Sequence, residues 1–301
     1  MTPPSPAPAA AEPAESPIIV PLGLRPITDR ELRLFQDLVY RETGIFLGPH
    51  KKQLLMSRLA HRLRELGIED FGDYFRRVSG ADGEERRRMI ECLCTHETSF
   101  FREPRQFELL EKQVFPAWTA AAAAGRRTRR VRAWSAGCST GEEPFSIAML
   151  LALHLPATAG WDCEVLATDL SLRALVRAAA ATWPIRRAAE IPQPLLKRFM
   201  LKGVRSQEGT MRAAAPLGAL VRFQQLNLND AAYPFDTRFD LIFCRNVLIY
   251  FDAASRERVI ERLLRHLAPG GHLFLGHSES LLGWSDRVRS AMPSVYTLAE
   301  P

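Results

Sequence analysis

The stretch Trp134-Ser-Ala-Gly137-Cys-Ser-Thr-Gly141-Glu-Glu143-Pro144 has the pattern of a strand, a glycine loop and a helix start. Glycines let backbone approach a ligand closely, and a helix start offers free N–H donors. Phosphate-binding versions of this turn keep acids away from the loop. Here Glu142 and Glu143 stand at the helix start, which disfavours a pyrophosphate and suits a cationic ligand. The stretch matches neither GxGxxG nor GxxxxGK[ST]. A plain βα turn, with acids stabilising the helix dipole, is the alternative. Asp169 ends the next predicted strand. In doubly wound sheets an acid there accepts hydrogen bonds from ribose hydroxyls. Capping the following helix is its other use, for which Ser171 competes. Loop and acid together favour a nucleoside-bearing ligand. Asn227, Cys244-Arg245-Asn246 with Tyr250, and Ala268-Pro269-Gly270-Gly271 fall at further strand ends on the same sheet edge. Cys92-x-Cys94 is too tight for zinc spacing and has no second pair, so no metal is expected.

The elements that must position these residues fall into two regions. Residues 1–21 are nearly all Pro, Ala, Ser and Glu and read as a disordered tail. Residues 22–103 read as a helical domain. Thr28-x-x-Glu31 is a capping box ahead of Leu32, Phe35, Leu38 and Val39, and Gly44 is the stop. Gly48-Pro49 opens a second helix carrying Leu55, Leu59, Leu63 and Leu66. Further helices are predicted near 70–79, 84–95 and 104–115. From 131 the period changes. Strands are predicted at Val131–Ser135, Glu164–Thr168, Leu220–Leu226, Phe239–Phe243 and His272–Leu275, alternating with helices at 142–154, 171–181 and 253–267. That alternation predicts an α/β, Rossmann-like doubly wound sheet over 104–301, closed by a hairpin at 288–298. The gap from Asp169 to Leu220 is too long for one crossover, so an inserted β hairpin is predicted at about 192–216.

Composition narrows the function. Apolar residues at 47% and charged residues at 25% exclude a disordered or fibrous whole. No apolar run approaches a membrane span, and no secretory signal is visible. Five cysteines, an odd number, fit reduced thiols and a cytoplasmic location. The net charge of +6 is concentrated in two places. Lys51, Arg58 and Arg62 fall on one helical stripe, and Arg126, Arg127, Arg129, Arg130 and Arg132 precede the first strand. The stripe suits an acidic partner, with a solvated face as the alternative. The second cluster reads as a solvated connector.

Strand, glycine loop, strand-two acid and Leu267-Ala-Pro-Gly-Gly-His-Leu273 resemble class I S-adenosylmethionine-dependent methyltransferases. Thr98-Ser-Phe-Phe-Arg102, Ser135-Ala-Gly-Cys-Ser-Thr-Gly-Glu-Glu-Pro144, Phe243-Cys-Arg-Asn-Val-Leu-Ile-Tyr-Phe251 and Gly276-His-Ser-Glu279 resemble the chemotaxis receptor glutamate methyltransferases of CheR type, over about 28–298. The resemblance implies methyl transfer from S-adenosylmethionine to receptor glutamates, giving a methyl ester and S-adenosylhomocysteine, with no metal. It implies cofactor contacts from His96, Thr98, Arg102, Glu143, Asp169, Asn227, Leu228, Arg245 and Asn246. His96 departs from the asparagine expected there. Arg102 and Tyr250 would orient the incoming carboxylate. Lys51, Arg58 and Arg62 would dock the helical cytoplasmic region of a chemoreceptor. The hairpin would be the place for a receptor C-terminal peptide, although Arg205 stands where family members that grip one carry glycine. The enzyme is expected to work as a monomer, without nucleic acid or membrane insertion. A nucleic-acid methyltransferase would carry prolines after strand four, where Cys244-Arg-Asn-Val has none. A cofactor-binding sensor without activity is the other alternative.

Overall fold

The computed structural model describes residues 23–299 except 82, 282, 284 and 285, so the tail expected at 1–21 lies outside the described residues. Four helices come first: α1 (Asp29–Thr43), α2 (Lys52–Glu65), α3 (Phe71–Ser79) and α4 (Gly83–Leu93). The capping box starts α1 as the sequence predicts. Thr28 Oγ1 accepts the Glu31 N–H at 3.2 Å and the Glu31 carboxylate accepts the Thr28 N–H at 2.8 Å. Phe35, Leu38, Leu55, Leu59, Leu63, Tyr74 and Met89 meet in one buried cluster between these helices.

Helices α5 (Pro104–Leu109) and α6 (Phe115–Ala123) are joined through a π turn at Leu110–Val114. Pro116 has no N–H to give the carbonyl four residues back, which accounts for the widened turn. The helix outruns its predicted end at 115 because 119–123 is rich in alanine, the best helix former.

The remainder is built from β1 (Arg130–Ala136), α7 (Glu142–His154), β2 (Asp162–Asp169), α8 (Leu172–Ala179), β3 (Thr182–Pro184), α9 (Gln193–Phe199), β4 (Met200–Lys202), β5 (Thr210–Ala213), α10 (Ala215–Gly218), β6 (Val221–Gln225), β7 (Phe239–Cys244), α11 (Ala253–Arg265), β8 (Leu267–Leu275), β9 (Val288–Met292) and β10 (Val295–Leu298). The main sheet has the order β6-β2-β1-β7-β8-β10-β9. Its first five strands are parallel, and the last two close it antiparallel. Alternate residues of β7 face opposite sides. Phe243 packs with Phe145 and Phe274, whereas Ile242 packs with Trp134, Leu263 and Leu273. Strand order reverses between β1 and β7, which opens a crevice at their carboxyl ends.

Two sequence expectations change. The inserted sheet has three strands, in the order β3-β5-β4, rather than two. Strand β3 is three residues long and contains Pro184, so nothing in its pattern reads as a strand; an edge position tolerates the proline. Of the five arginines expected as a solvated connector, Arg126, Arg129 and Arg130 are exposed, whereas Arg127 and Arg132 are engaged. Arg127 donates to Asp240 at 2.6 Å and lies 4.2 Å over the Trp118 ring. Arg132 pairs with Asp162 at 2.8 Å and Glu164 at 3.1 Å.

Candidate active site

A cavity of about 420 Å³ lies at the crevice. Its walls include all nine expected cofactor residues: His96, Thr98, Arg102, Glu143, Asp169, Asn227, Leu228, Arg245 and Asn246. Tyr250 lines it as well. The size suits a small-molecule ligand.

The glycine loop forms the floor. Gly137 sits at φ +84°, and a Cβ there would stand 2.5 Å from Val247 Cγ2. Only glycine lets the loop pass so close to the 246–251 segment. Asp169, at the end of β2, is held by two backbone donors. Its carboxylate accepts N–H groups from Ser139 at 2.8 Å and Ser171 at 2.9 Å. Burial pushes its pKa up, against the lowering effect of those N–H groups and of His96. Burial pushes the His96 pKa down, against the pull of the Asp169 charge. Ser171 takes the helix cap, accepting from Ala174, so Asp169 does not serve as the α8 cap.

A buried network holds the opposite wall. Arg245 Nε donates to Glu143 at 2.7 Å, and Ser135 Oγ donates to the other Glu143 oxygen at 2.6 Å. Arg245 Nη1 donates to the Arg102 carbonyl and lies 3.8 Å from the Glu103 carboxylate. The Arg245 side chain is 2% exposed, so this charge-assisted bond is sheltered from water. Glu142, expected beside Glu143, turns elsewhere: it pairs with Arg187 at 2.8 Å and accepts from Thr140 at 2.7 Å. Ser139 Oγ and Asn246 Oδ1 are buried without a hydrogen-bond partner among the described residues, and both residues line the cavity.

The helical region supplies the roof through a segment the sequence reading missed. Thr43, Ile45, Phe46 and Leu47 line the cavity. Ile45 bridges Phe251, and Phe46 N–H donates to the Tyr250 carbonyl at 2.8 Å. Asn227 ties the two regions together: its Nδ2 donates to the Glu42 carbonyl at 2.7 Å, and its Oδ1 accepts from Asn229 N–H at 3.0 Å. Both ends of that amide are therefore committed to backbone.

The three residues of the expected docking stripe differ in their surroundings. Lys51 is exposed and lines the cavity. Arg58 instead braces the chain beyond α4, donating to the carbonyls of Leu93 at 2.5 Å and Cys94 at 2.8 Å and to Thr95 Oγ1 at 2.8 Å. Arg62 forks onto buried Glu85 at 2.9 and 2.5 Å and also pairs with Glu65 at 2.9 Å. Helical spacing puts the three residues on one stripe but cannot show that α4 packs against it.

The glycine loop after β1, the acid ending β2 and the cavity at the switch point define an S-adenosylmethionine-dependent methyltransferase. The family model for the SAM binding domain of CheR methyltransferases matches residues 96–296, and that for their all-alpha domain matches 30–94. The chain is 39% identical to a chemotaxis protein methyltransferase of Klebsiella aerogenes, covering 85% of this chain and 84% of that one. It is 38% identical to chemotaxis protein methyltransferase 2 of Pseudomonas aeruginosa, covering 90% and 94%. Against the Escherichia coli chemotaxis protein methyltransferase the identity is 36%, covering 91% and 92%. The chain belongs to the CheR family of chemotaxis protein methyltransferases. No helix among the described residues is long and apolar enough to cross a membrane.

Proposed function

We propose that this protein methylates glutamate side chains in the helical cytoplasmic region of chemoreceptors, drawing on S-adenosylmethionine bound in the 420 Å³ cavity. The observation that carries the reading is the gathering of every expected cofactor residue, with Tyr250, around that one cavity. The unpartnered acceptors of Ser139 and Asn246 fit a ligand bearing hydroxyl and amino donors.

Asp169 would take the ribose hydroxyls with the lone pairs left over from its two backbone donors. Asn227 and Leu228 would border the adenosine end, Asn227 through its backbone and its grip on the helical region. Glu143, Arg245 and Asn246 would surround the methionine end. His96 and Thr98 complete the wall between them. The bound cofactor supplies a methyl group on a sulfonium, an activated leaving group. An acceptor glutamate has a pKa near ~4.3 and is already a carboxylate at neutral pH, so no general base is needed. The protein's contribution is alignment and exclusion of water from a weak nucleophile. Arg102 and Tyr250, at the wall, orient that carboxylate, and Lys51 meets the acidic acceptor. At the small sheet, Leu201 and Val204 are exposed beside the outer strand β4. That edge supports strand addition by a receptor C-terminal peptide.

The test is incubation of the purified protein with labelled S-adenosylmethionine and receptor-containing membranes of the host. Label in a receptor band that releases methanol in mild alkali is expected. Binding of S-adenosylhomocysteine with no transfer to any membrane fraction would make the protein a sensor instead.

A further inference from the structure

We propose that Glu279 is a positioning residue for methyl transfer, whose buried carboxylate fixes the Asn246–Tyr250 segment at the reacting end of the cavity. The inference rests on the cavity being the methyl-transfer site. Glu279 does not line that cavity; it sits behind the wall and is 6% exposed. Three backbone N–H groups converge on its two oxygens. Oε2 accepts from Gly276 at 2.7 Å and Asn246 at 2.9 Å, and Oε1 accepts from Ile249 at 3.2 Å. Two of these donors, Asn246 and Ile249, belong to residues that line the cavity. One carboxylate therefore joins the end of β8 to the loop that follows β7.

The loop needs such a clamp. Asn246 lies at φ +57°, in the left-handed region, which asparagine tolerates better than most residues but which its surroundings must still select. The approach is also tight. A Cβ on Gly276 would stand 2.7 Å from Asn246 Nδ2 and 2.9 Å from Glu279 Oε2. Glycine and carboxylate together set where Asn246 presents its unpartnered Oδ1. Burying a carboxylate is costly unless it is hydrogen-bonded, and here backbone N–H groups supply those bonds. Burial pushes its pKa up, against the lowering effect of those donors and of the Leu248 N–H.

Glu279→Gln tests this with little change of volume. The amide keeps one acceptor oxygen and turns an NH2 group against N–H donors that the second oxygen had served. The segment should drift while the rest of the cavity stays. The expected result on the full chain is a kcat lowered by about tenfold or more, because small misplacements are costly in transfer geometry. The melting temperature should fall by no more than a few degrees, and S-adenosylhomocysteine affinity, which loses at most the Asn246 contact, should fall by less than kcat does. Glu279→Asp, which keeps the charge but draws the oxygens back, should show the same split. A kcat within about twofold of wild type in both variants overturns the proposal. So does a parallel loss of kcat, ligand affinity and melting temperature, or failure of both variants to fold, since Glu279 would then serve the fold alone. Wild-type protein that binds no S-adenosylhomocysteine and methylates no receptor would instead overturn the proposed function.

Discussion

Replacing Arg62 should damage stability, not docking. In the folded chain Arg62 forks onto Glu85 with contacts of 2.9 and 2.5 Å, and Tyr74 Oη donates to the same carboxylate at 2.9 Å. Glu85 is 3% exposed, and the Arg62 side chain 15%. Arg62→Ala takes the forked partner from a buried carboxylate, a change that costs about 3–5 kcal/mol in comparable pairs. Tyr74 still donates and the Arg77 charge still favours the carboxylate, so the lower end, about 3 kcal/mol, is expected. At about 2–4 °C per kcal/mol for a chain of this size, the melting temperature should fall by roughly 6–12 °C. The pH dependence gives a second reading. Burial alone would raise the Glu85 pKa, but the Arg62 and Tyr74 bonds outweigh it and hold the carboxyl below its usual range. A carboxylate with a lowered folded pKa contributes stability that is present above the unfolded value and lost as pH falls through the folded one. Without Arg62 its lowering effect is lost and the Glu85 pKa rises relative to wild type. Protonation then relieves the less compensated charge, so the deficit against wild type should narrow as pH falls from neutral toward the ordinary glutamate range. Thermal unfolding followed by circular dichroism at several pH values, with receptor KM measured below the transition, checks both. A melting temperature within about 2 °C of wild type, together with a raised receptor KM at low salt only, would refute this reasoning.

Two further outcomes are expected from the cavity itself. Arg102→Ala should cut receptor methylation by about tenfold while S-adenosylhomocysteine affinity holds, under the proposed role of its side chain in orienting the acceptor; calorimetry showing equal loss of both would make it a cofactor residue only. Gly137→Ala places a Cβ 2.5 Å from Val247 Cγ2 at φ +84°. It should weaken S-adenosylhomocysteine binding by about tenfold, since left-handed backbone costs a residue with a Cβ about 1–2 kcal/mol before any displacement of Val247; unchanged affinity would show that the loop tolerates both.

What the sequence makes legible follows physical lines. The central strands are short apolar runs bounded by polar or glycine residues, and Phe239–Phe243 reads as a buried strand without further help. The glycine loop and Asp169 stand out because few residue types can fill those positions. Strand β3 does not stand out, because its pairing with β5 comes from register across a long insertion rather than from its own three residues. The partners of Arg58 and Arg62 are equally hidden. A stripe at i, i+7 and i+11 reports which side chains share a helix face, but not that Glu85 and the carbonyls of Leu93 and Cys94 will be packed against it. The roof made by Thr43–Leu47 had a weak signal at best, since it is tied by the Phe46 backbone bond to Tyr250 and, one residue before it, by the Asn227 side chain on the Glu42 carbonyl, some 200 residues away in sequence.

That roof makes ligand binding and the docking of the helical region two aspects of one equilibrium. The cavity takes one wall from Thr43, Ile45, Phe46, Leu47, Leu93 and Cys94, and the facing wall from the strand ends of the main sheet. A ligand that fills it touches both, so it binds the docked arrangement better than an undocked one. Polar bonds at this seam include Asn227 to the Glu42 carbonyl, Phe46 to the Tyr250 carbonyl, and Tyr40 Oη to Asp252 at 3.0 Å. Linkage is reciprocal, so weakening these bonds lowers ligand affinity to the extent that the free chain then populates the undocked state. Asn227→Ala removes the Glu42 bond and the turn bond to Asn229 together. Even if Asn227 never touches the cofactor through its side chain, the substitution should lower affinity, and a saturating ligand should restore the docked state by mass action. A contact residue and a hinge residue would thus give the same loss in a binding assay. They part in a protection assay, where only the hinge variant leaves 43–51 more open to hydrogen exchange without ligand and closes it again when ligand is added.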